Sequence, residues 1–277
     1  MRRFDPLVGM GIIAAGLVTG ATSSAVQGAV VSGNFVGNEN TTLAAGDLAG
    51  VVSAGNWNNL ARESGQGNPP NASIALSDSS GAASGVSISY AYFNEWYRTD
   101  VDPNANANSK LFKGVASDAD GVADTLTFNN VAAGSYDLYL YVMSAEYRSG
   151  NAGAGESGFF SDYAAGGTTY RIHNQARDQW TNGGPAQYQF DRATNTVNSD
   201  ASRDIGNYVL FEGLTPDDLG SLSFSIRSAN VDGTKRGSIQ GFQLVSAAVP
   251  EPTAIGALAL PAIAGLLARR RKSRQRA

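Results

Sequence analysis

Three aspartates near the middle of the chain have a spacing that could hold a divalent cation. Asp118, Asp120 and Asp124 occupy relative positions one, three and seven, and Gly121 lets the chain turn between them. Calcium takes six to eight oxygen ligands, which a flexible carboxylate-rich loop can supply. The segment lacks the glutamate that closes an EF-hand loop at position twelve. The alternative is an ordinary Asp/Gly-rich turn before a strand at Leu126, so calcium is a candidate ligand and not a required cofactor.

Three tryptophans are candidates for stacking on sugar rings, because a flat aromatic face can cover the apolar face of a sugar. Trp57 and Trp180 are flanked by Asn, Gln and Thr, which predicts that their rings are exposed to solvent. Trp96 lies in a segment crowded with aromatic residues, where packing in a core is the alternative. These three side chains are the candidate carbohydrate contacts of the chain.

Catalytic residue patterns are scarce. His173 is the single histidine of the chain, so a multi-histidine metal site is excluded, and no Gly-x-Ser-x-Gly elbow is present for a serine nucleophile. Glycoside hydrolysis requires two carboxyl groups roughly 5 to 9.5 Å apart. Whether two acids of this chain reach that separation depends on the fold. Glu95 is the first candidate acid, with Asp137 or Glu146 as its partner. We expect a chain that is not an enzyme and keep a polysaccharide hydrolase or lyase as an alternative.

The segments that carry these residues alternate apolar and polar side chains, which is typical of half-buried β-strands. The alternating segments are 85–92, 125–128, 135–143, 221–227 and 239–245. One or two helical turns are expected near residues 57–60 and 216–219, and residues 98–110 and 149–167 are expected to form loops. Short strands, Gly-rich turns and the absence of a βαβ alternation predict an all-β, antiparallel sandwich.

Two of these strands, one at 135–142 and the closing one at 239–245, together resemble bacterial jelly-roll domains of the galactose-binding-like kind. The resemblance implies a jelly-roll-like sandwich that binds ligands through loops at one end or in a groove across one sheet. It assigns no residue to a site.

Charge and cysteine content exclude several classes of protein. The chain has no cysteine, which rules out disulfides, iron–sulfur clusters and thiolate zinc sites. Residues 30–248 hold 12 of the 20 basic and 22 of the 24 acidic residues, so this part of the chain is strongly acidic. Nucleic acid is therefore not an expected partner, because its binding requires cationic side chains that neutralise phosphates.

The last 29 residues, 249–277, have three parts that differ from the rest of the chain. A proline-rich pentapeptide comes first, an uncharged apolar run of 15 residues extends from 254 to 268, and a basic cluster closes it. The pentapeptide is Val249, Pro250, Glu251, Pro252 and Thr253, and the basic cluster is Arg269, Arg270, Arg271 and Lys272. As a helix the apolar run spans roughly 22 Å, against a hydrocarbon core of about 30 Å. We expect a single transmembrane helix that ends in a cytoplasmic stop.

This order of parts resembles the PEP-CTERM sorting signal of Gram-negative, exopolysaccharide-producing bacteria. The resemblance implies that an exosortase-type membrane protease recognises the motif at 249–253 and removes the tail. The protein would reside in the inner membrane transiently and then at the cell surface or in the extracellular matrix. The resemblance concerns sorting and leaves the chemistry of the remaining chain open.

The N-terminus indicates the same destination. Arg2 and Arg3 precede an apolar stretch at 7–18, and small residues follow, which is the layout of a secretory signal peptide. An anchor that is never cleaved is the alternative. The expected organisation is a signal peptide at 1–29, a β-sandwich domain at 30–248 and a sorting signal at 249–277.

Three functions are compatible with these features. The favoured one is an exported, non-catalytic β-sandwich of the cell surface or matrix that associates with exopolysaccharide. The second is a carbohydrate-binding module with a defined sugar site, and the third is the hydrolase or lyase. The first two differ in whether a specific glycan binds with measurable affinity.

Overall fold

The computed structural model describes residues 29–37, 42–61, 73–90, 94–97, 101–117, 123–142, 160–174, 188–199, 204–228 and 238–247. Within these ranges the chain forms fifteen strands and one short helix. The strands are β1 Val30–Gly37, β2 Asn58–Ala61, β3 Ile74–Ser77, β4 Ala83–Tyr90, β5 Asn94–Tyr97, β6 Gly114–Ser117, β7 Asp124–Asn129, β8 Tyr136–Tyr141, β9 Phe160–Ala165, β10 Thr168–Asn174, β11 Asp204–Gly206, β12 Tyr208–Leu214, β13 Leu222–Ser228, β14 Ser238–Ile239 and β15 Gly241–Ser246. The helix is α1 Ala107–Leu111.

The strands form two large sheets and one small sheet. The five-stranded sheet has the order β12-β8-β15-β1-β2, the seven-stranded sheet β11-β10-β9-β13-β7-β4-β3, and the three-stranded sheet β14-β6-β5. The predicted all-β sandwich is confirmed, but the sheets are not purely antiparallel, because β1–β2 and β10–β11 run parallel. Twenty residues separate β1 from β2 and 29 separate β10 from β11. Both connections exceed the dozen residues that a parallel crossover requires.

The main core lies between the two large sheets. Alternate residues of the predicted strands face it, as period-two patterning requires. The buried residues from these strands are Val86, Ile88, Tyr90, Leu126, Phe128, Leu138, Leu140, Leu222, Phe224, Ile226, Phe242 and Leu244. The described parts of the strands predicted at 85–92, 125–128, 135–143 and 221–227 are thus confirmed. The single closing strand predicted at 239–245 is instead divided at Gln240: Ile239 belongs to β14 of the three-stranded sheet, and Gly241–Ser246 form β15 of the five-stranded sheet.

Phe242 occupies the centre of this core. Its ring centroid lies 5.0 Å from that of Phe128 and 6.4 Å from that of Phe35, both in edge-on arrangements. Gly33 is its cross-strand neighbour in β1, and a Cβ atom at Gly33 would lie 2.3 Å from the ring. A glycine is therefore required in β1, because the ring of Phe242 covers the backbone of that residue.

A second apolar cluster covers part of the outer face of the five-stranded sheet. It joins the loop at 42–57, α1 and the segment around Tyr188, and its buried members are Leu43, Ala49, Trp57, Val101, Leu111, Phe112, Tyr141 and Tyr188. A capping box starts α1: Asn106 Oδ1 accepts the Ser109 N–H at 2.9 Å, and Ser109 Oγ accepts the Asn106 N–H at 3.2 Å. Residues 107–110 are therefore helical, where a loop was expected.

Two other local expectations are wrong. Residues 58–60 belong to β2 instead of a helical turn, because Asn58 Nδ2 donates to the carbonyls of Ser32 in β1 and Ser77 in β3 at 2.8 and 2.9 Å. Asn58 thereby links the two large sheets. Residues 160–165 form β9 within the expected loop at 149–167, because they pair with both β10 and β13.

We expect Tyr141→Phe to lower the free energy of unfolding by about 1–3 kcal/mol at neutral pH, because buried polar groups lose a partner. The Tyr141 hydroxyl accepts the Val51 N–H at 2.7 Å and donates to Gln243 Oε1. Urea unfolding measures the loss. Tyr136→Phe is the matched control, because its hydroxyl makes one solvent-exposed hydrogen bond, to the Ala132 carbonyl, and it should cost less.

The same residue predicts a loss of stability in alkali. Burial raises the pKa of Tyr141 well above its ordinary value of 10.0, although the bond from Val51 opposes the shift. The unfolded chain then releases this proton first, so stability is fully present below pH 10.0 and falls above it, by up to about 1.4 kcal/mol per pH unit. Tyr141→Phe should fall less steeply. An equal alkaline slope in both proteins would contradict the assignment.

Candidate functional site

A cleft of about 750 Å³ opens at one end of the sandwich. It lies between the β9–β10 hairpin, the end of β12 and the turn that leads into β13. Its polar lining consists of Thr168, Tyr170, Glu212, Thr215, Asp217, Ser221 and Ser223, and its apolar lining includes Phe211, Leu214 and Leu222. Hydroxyls, carboxylates and two aromatic rings, those of Tyr170 and Phe211, therefore converge on a single opening.

The β9–β10 hairpin forms one wall of the cleft. Gly166 and Gly167 connect the two strands, with φ angles of 55° and 81°, as a two-residue turn of type I′ requires. A Cβ atom at Gly166 would lie 2.4 Å from the side chain of Leu214 in β12. Both its backbone angle and the close approach of Leu214 therefore require glycine at 166.

The opposite wall is fixed by hydrogen bonds that backbone N–H groups donate to two aspartates. Asp217 Oδ1 accepts the N–H groups of Leu219 and Ser221 at 2.9 and 2.8 Å, which closes the turn before β13. In β12 the strand register shifts between Phe211 and Leu214, and the Gly213 N–H donates to Asp137 Oδ1 at 3.0 Å. The walls of the cleft are thus held in place before any ligand binds.

Arg192 lies beside the cleft and joins two of its lining residues. Its Nη2 donates to Glu212 Oε2 at 3.2 Å and to the Leu210 carbonyl at 3.4 Å. Burial would lower the pKa of Arg192, but hydrogen bonds to Glu212 and Tyr170 outweigh it, so the pKa is raised. The guanidinium is therefore a fixed positive charge between a carboxylate and a phenol.

The chemistry of this lining suits a polyhydroxylated ligand. Hydroxyls and the guanidinium donate hydrogen bonds, carboxylates accept them, and Tyr170 offers a ring with a half-buried side chain. Small-molecule sites combine an apolar wall with a few oriented polar groups in this way.

None of the three tryptophans predicted to stack on sugars is among the described residues that line the cleft. The expected exposure of Trp57 is wrong: the residue is 4% exposed, its Nε1 donates to the Ala54 carbonyl at 2.8 Å, and its ring centroid lies 6.0 Å from that of Tyr141. A ring so enclosed cannot stack on a sugar. Trp96 lies on β5, where the backbone alone is described, and Trp180 lies outside the described residues.

The predicted calcium ligands are largely outside the described residues. Asp118 and Asp120 fall there, whereas Asp124 begins β7 opposite Ile226 of β13. In the ranges that are described, no three Asp, Glu or His side chains form a group that could hold a metal ion. Calcium binding at 118–124 remains a prediction.

The candidate carboxylates for hydrolysis lie on different strands. Asp137 lies on β8, at the end of the five-stranded sheet near Val30, and Glu95 lies on β5, where the backbone alone is described. A hydrolytic pair between them remains a prediction. Glu146 lies outside the described residues, and His173 lies on β10, as a strand residue.

The sorting motif at 249–253 and the basic cluster at 269–272 also lie outside the described residues. Among the residues that are described, no helix combines the length and the apolar character needed to cross a membrane. The signal peptide and the transmembrane helix therefore remain predictions.

Sequence reasoning missed the residues that line the cleft. Tyr170 lies on β10, Glu212 and Asp217 lie on β12 and in the turn after it, and the neighbouring Arg192 comes from a third segment. No local motif connects them. The pair Gly166-Gly167 between β-forming residues was an available indication of the hairpin. Nothing local indicated that this hairpin lies against β12 of the other sheet.

Comparisons with known proteins identify no family for the chain. No protein family model matches it, and no curated protein matches it. One similar solved structure is the crystal structure of plant peptide RALF23 in complex with FER and LLG2, with 14% identity, 59% of this chain and 35% of that chain covered, and a TM-score of 0.33. Another is the crystal structure of the plant receptor-like kinase FER, with 13% identity, 80% of this chain and 43% of that chain covered, and a TM-score of 0.38. The chain spans less than half the length of either. At these TM-scores, the description of the fold rests on the strands and sheets given above.

Proposed function

We propose that this chain is an exported, non-catalytic β-sandwich protein of the cell surface or extracellular matrix that binds exopolysaccharide. The observation that supports the proposal is the cleft at the end of the sandwich, where two carboxylates, hydroxyl groups and the ring of Tyr170 line walls built from paired strands and the hydrogen-bonded turn at Asp217. Rigid walls lower the entropic cost of ordering a ligand.

The composition of the chain supports the same proposal. Residues 30–248 are acidic and free of cysteine, so an acidic polymer such as nucleic acid is an unsuitable partner, and stability does not depend on disulfides. The export part of the proposal rests on the sequence features at both ends of the chain. An exosortase-type protease is the proposed processing partner, and the inner membrane is the proposed transient location.

The first and last described residues lie at the same end of the sandwich, which fits export segments attached at that end. The Ser246 N–H donates to the Ala29 carbonyl at 3.1 Å, and the Ala247 N–H donates to the Ser135 carbonyl at 2.8 Å. Ala29 and Ala247 therefore lie on the side of the sandwich that carries the cleft, since Ser135 also lies beside Gly213 of the cleft.

The binding proposal is tested with the processed protein and the exopolysaccharide of the strain that secretes it. We expect Glu212→Gln to weaken binding about tenfold to a hundredfold, because a charged hydrogen bond is lost. Asp218→Asn is the matched control, because Asp218 is an exposed acid in the turn that follows β12 and does not line the cleft. Isothermal titration measures both. Absence of binding, or an equal effect of the two substitutions, would contradict the proposal.

The sorting proposal has its own experiment. The full chain is expressed in a host with an exosortase and in the same host without it, and the mass and cellular fraction of the product are compared. We expect loss of the segment after about Val249 and release to the outer envelope or medium when the exosortase is present. Retention of the tail in the inner membrane of both hosts would show a plain anchor.

A dedicated carbohydrate-binding module is the second candidate, and the preorganised turns of the cleft favour it. It predicts high affinity for one glycan and little for others, whereas a matrix protein should bind its polymer broadly. A glycan array separates the two. Release of reducing ends from the polymer would instead support the hydrolase or lyase alternative.

A further inference from the structure

We infer that the glycan-binding surface continues from the cleft onto the outer face of the five-stranded sheet, across the stacked rings of Tyr139 and Tyr208. The ligand is then an extended segment of a polysaccharide and not a single terminal sugar. This inference rests on the proposed function and defines its ligand more narrowly.

Strand geometry places the two rings on the outer face beside the cleft. Successive side chains of a strand point to opposite faces, so Tyr208 and Glu212 of β12 share one face, as do Asp137 and Tyr139 of β8. Tyr139 pairs in register with Leu210, which lies midway between Tyr208 and Glu212. Glu212 lines the cleft, so the face that carries the rings leads directly into it.

The two tyrosines form a half-buried platform at the margin of the second apolar cluster, against which both rings pack. Their ring centroids are 6.3 Å apart with an angle of 28° between the planes, and Phe190 supports Tyr208 edge-on at 6.2 Å. Burial raises the pKa of both hydroxyls above 10.0, so each is a neutral hydrogen-bond donor at physiological pH. A ring pair of this kind offers an apolar face and polar edges to a sugar.

Arg192 connects the platform to the cleft. Its guanidinium holds Glu212 at 3.2 Å and lies close enough to Tyr139 and Tyr208 to act on both electrostatically. Tyr208 and Glu212 are four residues apart on one strand, or about 13 Å. This span is longer than one sugar ring, so a ligand that touches both must be a chain of several sugars.

The surroundings of the platform favour a glycan over a protein partner. Asp137, Asp191 and Glu212 lie around the two rings and supply acceptors for sugar hydroxyls. Among the described residues, the large apolar side chains that are exposed are Leu48, Val197 and Leu219, and none of them is on β8 or β12. The platform therefore lacks the broad apolar surface that marks the centre of a protein interface.

The test measures affinity against ligand length. Disaccharides and octasaccharides, prepared by partial hydrolysis of the strain's exopolysaccharide, are titrated into the processed protein. We expect the octasaccharide to bind more tightly, and Tyr208→Leu to weaken its binding about threefold to tenfold while the disaccharide is unaffected. Glu212→Gln should weaken both.

Two further variants control for packing. Tyr208→Phe keeps the ring and should retain most of the octasaccharide affinity. Tyr139→Leu removes the other ring and should reproduce the loss even if Tyr208→Leu is poorly folded. Equal affinity for both lengths, with no effect of either leucine variant and a loss on Glu212→Gln, would overturn this inference and leave the proposed function intact. Failure of both oligosaccharides and of the intact polymer to bind would overturn both.

Discussion

Replacing Phe242 with alanine is expected to lower the free energy of unfolding by about 3–5 kcal/mol, the range for large aromatic residues in a core. Phe242 is fully buried and contacts Phe35 and Phe128 from the two facing sheets. Its ring also covers Gly33, so its loss leaves a void against the backbone of β1. Paired strands on both sides prevent the void from closing, and urea unfolding measures the cost.

The control for Phe242→Ala is Leu219→Ala, because Leu219 is 86% exposed. This substitution should change stability by no more than about 0.5 kcal/mol. Similar losses in the two variants would mean that Phe242 does not hold the sheets together. A second test is Gly33→Ala, which should also destabilise, since the new Cβ atom would clash with the ring of Phe242.

Trp57→Ala is expected to lower the free energy of unfolding by a comparable amount, about 3–5 kcal/mol. This variant also distinguishes a packing role of the ring from a role in ligand binding. The ring is 4% exposed, packs against Tyr141 and bonds to the Ala54 carbonyl through Nε1. The loop at 42–57 should therefore lose its anchor on the outer face of the sheet. The measurement combines urea unfolding with glycan titration at a temperature where the variant is folded.

The expected pattern for Trp57→Ala is reduced stability with unchanged glycan affinity. Trp57→Phe is the matched variant, because it keeps an aromatic ring in the cluster and loses the Nε1 bond; it should cost less than the alanine variant. If Trp57→Ala kept its unfolding midpoint and lost glycan binding, the ring would be a sugar contact after all, and its burial would not describe the protein in solution.

The difference between the predicted and observed roles of Trp57 has a physical cause. Its polar neighbours Asn56 and Asn58 suggested a solvent-exposed loop, but both amides bond to protein. Asn56 Nδ2 donates to the Ser79 carbonyl, and Asn58 bonds to β1 and β3. Polar side chains that satisfy buried backbone groups occur in the interior as well as at the surface. Flanking polarity therefore could not establish exposure.

Local alternation determined the strands that face the main core. Val86, Ile88 and Tyr90 alternate with serines in β4, and Leu222, Phe224 and Ile226 do so in β13; both strands bury the predicted face. The hydrophobic effect favours burial of each apolar side chain individually. A period of two in apolar residues is therefore sufficient to predict a strand and the face that it buries. The all-β class followed from the same pattern.

Tertiary structure alone decided the parallel pairs, the burial of Trp57 and the cleft. β2 pairs with β1 after twenty residues, and β11 pairs with β10 after 29. The local sequence of a strand does not indicate which distant strand it pairs with or in which direction. The cleft joins Tyr170 to Glu212 and Asp217, which come 42 and 47 residues later in the chain; they meet because the β9–β10 hairpin lies beside β12. Composition and alternation predict which side chains are buried or exposed. A binding site instead requires contacts between residues that are distant in sequence, and the packing of the whole fold determines those contacts.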